Sequence, residues 1–200
     1  AAYRGNIRVD SKVIAVERIP DGIRLRLHSG QEHEFDHVVI ATHSDQALEM
    51  LSDADSNERS ILEALPYSDN EVVLHTDESL LPSNKKAWSS WNYRLRSNTD
   101  RATLTYNMNI LQGLTAPETF CVTLNDSDAV EPTSILGEYA YAHPQFTIEG
   151  IAAQARWAEI NGTRNTYFCG AYWQNGFHED GLSSGLRAAD ALVAKLRGTS

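Results

Sequence analysis

Tyr167-Phe-Cys-Gly-Ala-Tyr-Trp-Gln-Asn-Gly-Phe-His-Glu-Asp-Gly-Leu-Ser-Ser-Gly-Leu-Arg-Ala-Ala189 is the stretch on which the reading of this 200-residue chain turns. It reads as a short buried strand over Thr166 to Cys169, a glycine-punctuated loop, and a helix that opens on an acidic residue followed by glycine. A helix start of that kind offers unpaired backbone N–H groups and the positive end of a macrodipole to an electron-rich ligand. Glycine at 170, 176 and 181 lets main chain come close to such a ligand, because no Cβ intervenes. The segment is therefore expected to hold a cofactor.

Upstream, Ile7 to Val9, Lys12 to Arg18 and Ile23 to His28 alternate with the two-residue period of half-exposed strands. Pro20-Asp21-Gly22 and Ser29-Gly30 supply the turns. Val38 to Ala41 is an apolar run expected of a strand buried on both faces. Beyond it the period changes. Ala47, Leu48 and Leu51 mark a helix capped by Ser44, and Ile61, Leu62 and Leu65 mark a second over Ser56 to Leu65. Five candidate strands follow at Asn70–His75, Lys86–Tyr93, Ala102–Met108, Phe120–Leu124 and Ile135–Tyr141, separated by turn-forming residues.

Gln145 to Ile160 returns to helix, with Phe146, Ile148, Ile151, Ala152 and Ala155 on one side. In the last helix Leu182, Leu186, Ala189, Val193 and Leu196 are expected to face inward. Lys195 and Arg197 suit its final turn, Gly198 its stop, and the small residues at 184, 185 and 188 close packing on a sheet. These elements predict an α/β (mixed α+β) fold in three stretches, 1–43, 44–149 and 150–200, the first and last forming one domain and the middle another.

Composition narrows the function. Hydrophobic residues make up 42% and charged residues 22%, as in ordinary globular proteins. A formal charge of −10, with thirteen arginines and four lysines scattered along the chain, disfavours nucleic acid and anionic membranes. Arg94-Leu95-Arg96 with Arg101 is a small basic spot that reads as a solvated strand end. No apolar run nears the roughly 20 residues that span a bilayer. Cys121 and Cys169 are too few for a disulfide framework, which suits a reducing, cytoplasmic setting. Three consecutive polar side chains at His178-Glu179-Asp180 make a poor metal site, so no metal is expected.

The glycine and helix pattern resembles a known family. Gly170-Ala171, Gly176-Phe177-His178-Glu179 and Ser184-Gly185-Leu186-Arg187-Ala188-Ala189 are similar to the C-terminal FAD segment of the flavin-containing amine oxidase superfamily. With Ala41 to Leu48 and Leu74-His75-Thr76-Asp77, they resemble a bacterial subgroup described as NAD/FAD-binding oxidoreductases. The resemblance implies a partial FAD/NAD(P)-binding domain with an inserted substrate domain of mixed sheet and helices. It also implies FAD as cofactor, contacted by Val13, Ala41, Thr42, Gly170, Ala171, Glu179, Asp180, Gly181 and Leu182. Phe177, Trp173, Trp91 and Tyr93 would line a small-molecule substrate, although Trp91 and Tyr93 also fit the core packing of a strand.

Two departures from the family pattern matter. Ala171 stands where an acidic residue often binds ribitol, and the strand Tyr67 to Leu74 lacks the lysine that many amine oxidases place near the flavin. The chain also contains no Gly-x-Gly-x-x-Gly, the turn that cradles a dinucleotide pyrophosphate. These features lead to the expectation of a C-terminal part whose N-terminal half is missing, binding FAD only in the full-length protein. The expected reaction is hydride removal from an amine or from a lipid-like or polyene chain, with homodimerisation as a further expectation. The alternative is a non-catalytic ligand- or protein-binding module that keeps the fold.

Overall fold

A computed structural model describes residues 4–95 and 101–198. It divides into two units, one of residues 1–67 and 144–200 and one of residues 68–143. The boundaries expected near 43 and 149 therefore fall at 67 and 143. The helices after residue 43 stay with the first unit because their apolar faces are part of its core.

In the first unit, β1 (Val13–Ile19), β2 (Gly22–Leu27) and β3 (Glu32–Phe35) form an antiparallel sheet in that order. Gly22 is required at the β1–β2 turn: its φ is +155°, and a Cβ there would lie 2.3 Å from the Phe35 carbonyl oxygen. The strand expected at Ile7 to Val9 does not form, and both side chains are exposed. Pairing between β1 and β2 ends at Val13 and Leu27 with the turn at Ser29-Gly30, which leaves residues 7 to 9 no strand to join.

β4 (Val38–Ile40) leads into α1 (Ser44–Met50) and α2 (Ser56–Glu63). Ser44 was the expected cap of α1 but is its first helical residue, and its hydroxyl donates to the Leu65 carbonyl. The N-cap is His43, whose N–H donates to Gln46 Oε1 at 3.4 Å. α2 carries a capping box: Asp55 Oδ1 accepts from the N–H groups of Asn57 and Glu58, and Glu58 Oε2 accepts from Asp55 N–H.

The second unit is a five-stranded sheet of order β6-β7-β8-β5-β9. Its strands are β5 (Tyr67–His75), β6 (Trp91–Arg94), β7 (Thr103–Asn107), β8 (Cys121–Leu124) and β9 (Ile135–Pro144), with α3 (Met108–Gln112) after β7. The strand expected from Lys86 starts only at Trp91, because Asn84 Oδ1 accepts from Lys86 N–H and holds residues 85–87 in a helical turn.

The registers place Trp91, Tyr93, Leu104, Tyr106, Val122, Leu124, Val72 and Leu74 on one face of this sheet. The opposite face carries Asn92, Thr105, Asn107, Thr123, Cys121, Val73 and His75. It is the second face that is buried, while most of the apolar one is partly or largely exposed. The polarity usual for a one-sided sheet is thus inverted.

His75 is fully buried on the polar face. Its Nδ1 accepts from Asp77 N–H at 3.1 Å, so the ring proton resides on Nε2, 2.7 Å from Thr123 Oγ1. Thr123 in turn meets Thr105 Oγ1 at 2.8 Å. Burial holds the His75 pKa below the usual histidine value, against the weaker opposing pull of Asp77. The unfolded chain then takes up a proton near pH 6.5 that the folded chain refuses until lower pH. Stability is full above that pH and falls as pH drops below it. Chemical denaturation at about pH 7.5 and about pH 5.5 should show this loss, and His75→Gln should reduce it.

The chain re-enters the first unit through α4 (Ile148–Ala155), α5 (Trp157–Ile160), β10 (Thr166–Phe168) and α6 (His178–Leu196). β10 lies parallel to β4 in register, Thr166 beside Val38 and Phe168 beside Ile40, and all three of its residues are buried. The helix expected over 145–160 starts after the Thr147 cap and breaks at Arg156.

Two expected inward faces point the other way. In α4, Gly150 and Ala153 are buried, whereas Ile148 is 83% exposed and Ile151 and Phe146 are also open. In α6, Asp180, Ser184 and Ala188 are buried, while Leu182 and Leu186 are each 58% exposed and Leu196 is 67% exposed. The reason is common to both. Small residues allow the close approach: a Cβ on Gly150 would stand 3.0 Å from the Ala64 carbonyl. The larger side chains are left outward.

Candidate cofactor site

The parallel pair β4 and β10 sets the geometry. Cys169 N–H donates to the Ile40 carbonyl at 3.0 Å, so both strands end at one level. Ala41-Thr42 leaves one carboxyl end and Gly170-Ala171 the other. In open α/β sheets this edge is where ligands are received.

Gly170 adopts φ +155° and ψ 161°, a backbone region essentially confined to glycine. It lets the chain turn at once into a helical turn over Ala171–Trp173. Ser184, in the second turn of α6, fixes that bend. Its Oγ accepts from Gly170 N–H at 2.8 Å and lies 3.0 Å from the Gly170 carbonyl. A Cβ on Gly181 would stand 3.9 Å from Ala171, so the first turn of α6 rests on the bend.

Gly170, Ala171 and Gly181 are therefore brought together, and Ala41-Thr42 continues from the neighbouring strand β4. The Gly170 N–H is already taken by Ser184, whereas a helix start such as that of α6 leaves its first N–H groups without intrahelical partners. Asp180 does not point a free carboxylate at a ligand. It is buried, and its Oδ2 accepts from Phe177 N–H at 2.9 Å and Asn175 N–H at 3.2 Å, closing the loop onto the helix. Glu179, Leu182 and Phe177 are exposed beside it.

Val13 and Thr42 line one cavity of about 470 Å³ with Lys12, Ile14, Gln46, Glu49 and Met50. Gln46, Glu49 and Met50 escaped the sequence reading. The signal was present in their spacing, since on α1 positions 46, 49 and 50 recur at the helical three- and four-residue step.

Trp173 departs from its expected place beside a substrate. It is 4% exposed and packed in the core with Tyr172. The cause is local, because the turn at 171–173 directs both aromatic rings inward under Gly170. A Cβ at Gly170 would come within 2.4 Å of the Tyr172 ring. Trp91 and Tyr93 belong to the second unit, on its exposed apolar face, where Trp91 meets Tyr106 edge-on at 5.5 Å. In the basic spot Arg94 donates to Asp126 at 3.4 Å, and Arg96 lies outside the described residues.

At the start of α1, His43 stacks on Tyr67 with ring centroids 4.0 Å apart. Burial, aided by Asp45, pushes the Tyr67 hydroxyl up to about 12. Burial also raises Cys121 to about 11, with Glu78 and Asp77 adding to the effect, and raises Cys169, so neither is an activated thiol. Among the described residues no group of three His, Cys, Asp or Glu side chains is placed to hold a metal ion. No helix among them is long and apolar enough to cross a membrane.

A family model for flavin-containing amine oxidoreductases matches residues 1–111. The chain belongs to that family. No curated protein matches the sequence. Several solved structures share its fold. Cyclohexylamine oxidase from Brevibacterium oxydans IH-35A superposes with a TM-score of 0.62 at 14% identity, over 97% of this chain and 50% of that one. Reduced UDP-galactopyranose mutase gives 0.63 at 13% identity, over 93% and 46%. A CLA-producing fatty acid isomerase from P. acnes gives 0.58 at 14%, over 88% and 46%. The likeness at these identities is one of fold, and the chain spans about half the length of these structures.

The family is one of flavin enzymes. The glycine bend and helix start at 170–182 and the cavity at Val13 and Thr42 are the candidate places for the flavin on this chain, which contains no Gly-x-Gly-x-x-Gly.

Proposed function

We propose that this chain is the C-terminal part of an FAD-dependent oxidoreductase that removes a hydride from a small organic substrate, an amine or a lipid-like chain. The observation that carries the proposal is the shared carboxyl edge of β4 and β10, with the start of α6 seated on the Gly170 bend. When bound, FAD supplies the hydride acceptor. In this reading the first N–H groups of α6 orient the flavin, and Val13 and Thr42 flank its nucleotide end. Phe177 would wall the reacting face. His75 is not proposed as a base, because both of its ring nitrogens are engaged. The free, buried cysteines accord with a cytoplasmic protein.

The proposed partner within the same protein is an N-terminal part carrying the phosphate-binding turn. Leu182, Leu186, Val193 and Leu196 on α6, and Ile148 and Ile151 on α4, are exposed aliphatic side chains on helices of the unit that would receive it. Complete burial of such a side chain from full exposure is worth about 1.5–3 kcal/mol, and covering the part of each that is still exposed gains the corresponding fraction. The test is flavin titration, by absorbance and fluorescence, of this chain alone and of the full-length protein. The expected result is stoichiometric FAD in the full-length protein and at least about a hundredfold weaker binding here, the equivalent of roughly 2.7 kcal/mol. Tight stoichiometric FAD in the 200 residues alone would refute the split-site reading, and a full-length protein that takes no flavin would refute the enzyme.

A further inference from the structure

The two edges of the five-stranded sheet in the second unit are unlike. β6 has four residues, ends in Arg94 and is the kind of short, charged border that discourages further pairing. β9, on the other edge, has ten, and is the longest strand described. Its sequence, Ile135-Leu-Gly-Glu-Tyr-Ala-Tyr-Ala-His-Pro144, has no lysine or arginine, one carboxylate, and a proline only at its last position. Glu138, Tyr139, Ala140 and Tyr141 are exposed in succession, so both faces of the strand are open there. Tyr139 and Tyr141 are already stacked on each other, with ring centroids 5.7 Å apart and planes 8° from parallel.

We infer that β9 is a pairing edge and that its occupant is a second copy of this chain, joined β9 to β9 in antiparallel register about a two-fold axis at Ala140. An axis perpendicular to the sheet requires residue i to face residue 280 − i of the partner, which keeps like faces together. Centred on Ala140, this register sets each Tyr139 opposite the partner's Tyr141 and extends two stacked rings into a ladder of four. The smallest non-glycine side chain sits on the axis. Glu138 falls opposite Ala142 and His143 opposite Gly137, so no two like charges confront each other. Leu136 falls opposite Pro144, whose missing N–H ends the ladder.

A generic extended peptide would gain the same main-chain hydrogen bonds but not the reciprocal tyrosine pairs. That reciprocity selects the second copy. The inference does not depend on flavin, because every residue it uses lies outside the 170–182 segment and the Val13 cavity.

The test uses the 200-residue chain and single cysteine substitutions under mild oxidation. The two natural cysteines are buried and free, and give no background. Ala140→Cys should cross-link into a dimer, because directly opposed Cβ atoms stand about 5 Å apart. Leu136→Cys should not, because eight positions separate the two copies of that residue, about 26 Å at 3.3 Å per residue. Sedimentation should give twice the mass of 22.2 kDa. Tyr139→Lys combined with Tyr141→Lys should weaken the dimer at least about tenfold by opposing like charges.

Leu186→Glu separates this association from any through the exposed stripe of α6. A dimer that survives Leu186→Glu and fails with the tyrosine changes supports the β9 edge. A monomeric chain, equal cross-linking at 136 and 140, or a dimer lost only with Leu186→Glu would overturn it. Failure here leaves the flavin proposal standing, since that is read from bound FAD.

Discussion

Glu58→Ala is expected to lower the free energy of unfolding by about 3–5 kcal/mol, the range seen when one partner of a buried ion pair is removed. Glu58 is completely buried at the third position of α2. Its carboxylate accepts from the guanidinium groups of Arg18 on β1 and Arg164 just before β10, and from Asp55 N–H at 2.9 Å. Arg18 also reaches Asp53 at 2.6 Å and Thr166 Oγ1 at 3.1 Å, and Arg164 bonds Asp53 at 3.1 Å. One cluster thus ties the meander sheet, α2 and the approach to the parallel pair.

Removing the carboxylate leaves the Arg18 side chain, only 6% exposed, with Asp53 as its one remaining carboxylate partner and its second guanidinium nitrogen without the Glu58 oxygen it bonded. The asymmetry can be measured. Glu58→Ala should cost far more than a joint replacement of Arg18 and Glu58 by apolar residues of similar volume. Urea denaturation of the two variants checks it, and equal losses would show that the cluster is held by something other than paired charge.

Gly170→Ala is the second large effect. The backbone region occupied by Gly170 costs any other residue about 1–3 kcal/mol. The new methyl would also overlap the buried Tyr172 ring, at 2.4 Å for its Cβ. The two penalties, each about 1–3 kcal/mol, add, so a loss of about 2–6 kcal/mol is expected. In the full-length protein the same change should weaken FAD binding, because Ser184 and the start of α6 are registered on this bend. Gly185→Ala provides the contrast. An added Cβ there meets nothing within 4 Å, and helix propensity favours alanine by nearly 1 kcal/mol, so stability should hold or rise. Thermal melts read the first effect and flavin titration the second.

What could be read from the sequence was what local chemistry decides. The strand–loop–helix order at 166–189 followed from glycine placement, and the β1–β2 turn from Pro20-Asp21-Gly22. The strands β5 and β7 to β9 stood out between turn residues. What could not be read was which side of an element faces the core. Periodicity finds an apolar stripe on α6 but cannot tell that small residues on the opposite side, Ser184 and Ala188, lie against β10 while the leucines wait outside. The same ambiguity reversed α4.

The boundary at residue 67 was hidden for a related reason. The grouping of α1 and α2 with β10 arises from contacts between residues a hundred positions apart, such as Arg164 with Glu58. Of the candidate site, the glycine bend was legible in the sequence, whereas that Val13 and Thr42 line one cavity was not. The engagement of Asp180 and the burial of Trp173 were not, since each depends on how a tight loop folds back on itself.

The inverted sheet of the second unit shapes how that unit responds to temperature. Unfolding it uncovers hydroxyl, amide and imidazole groups from the buried side, and exposed polar surface lowers the heat capacity that exposed hydrocarbon raises. Its stability curve is consequently expected to be flatter than that of the first unit, whose apolar cluster is much larger than the one around Val73, Leu80 and Val130. Threonine-to-threonine bonding gives a lobe that relies on direction more than on water's aversion to oil, and so gives up less of its strength on cooling.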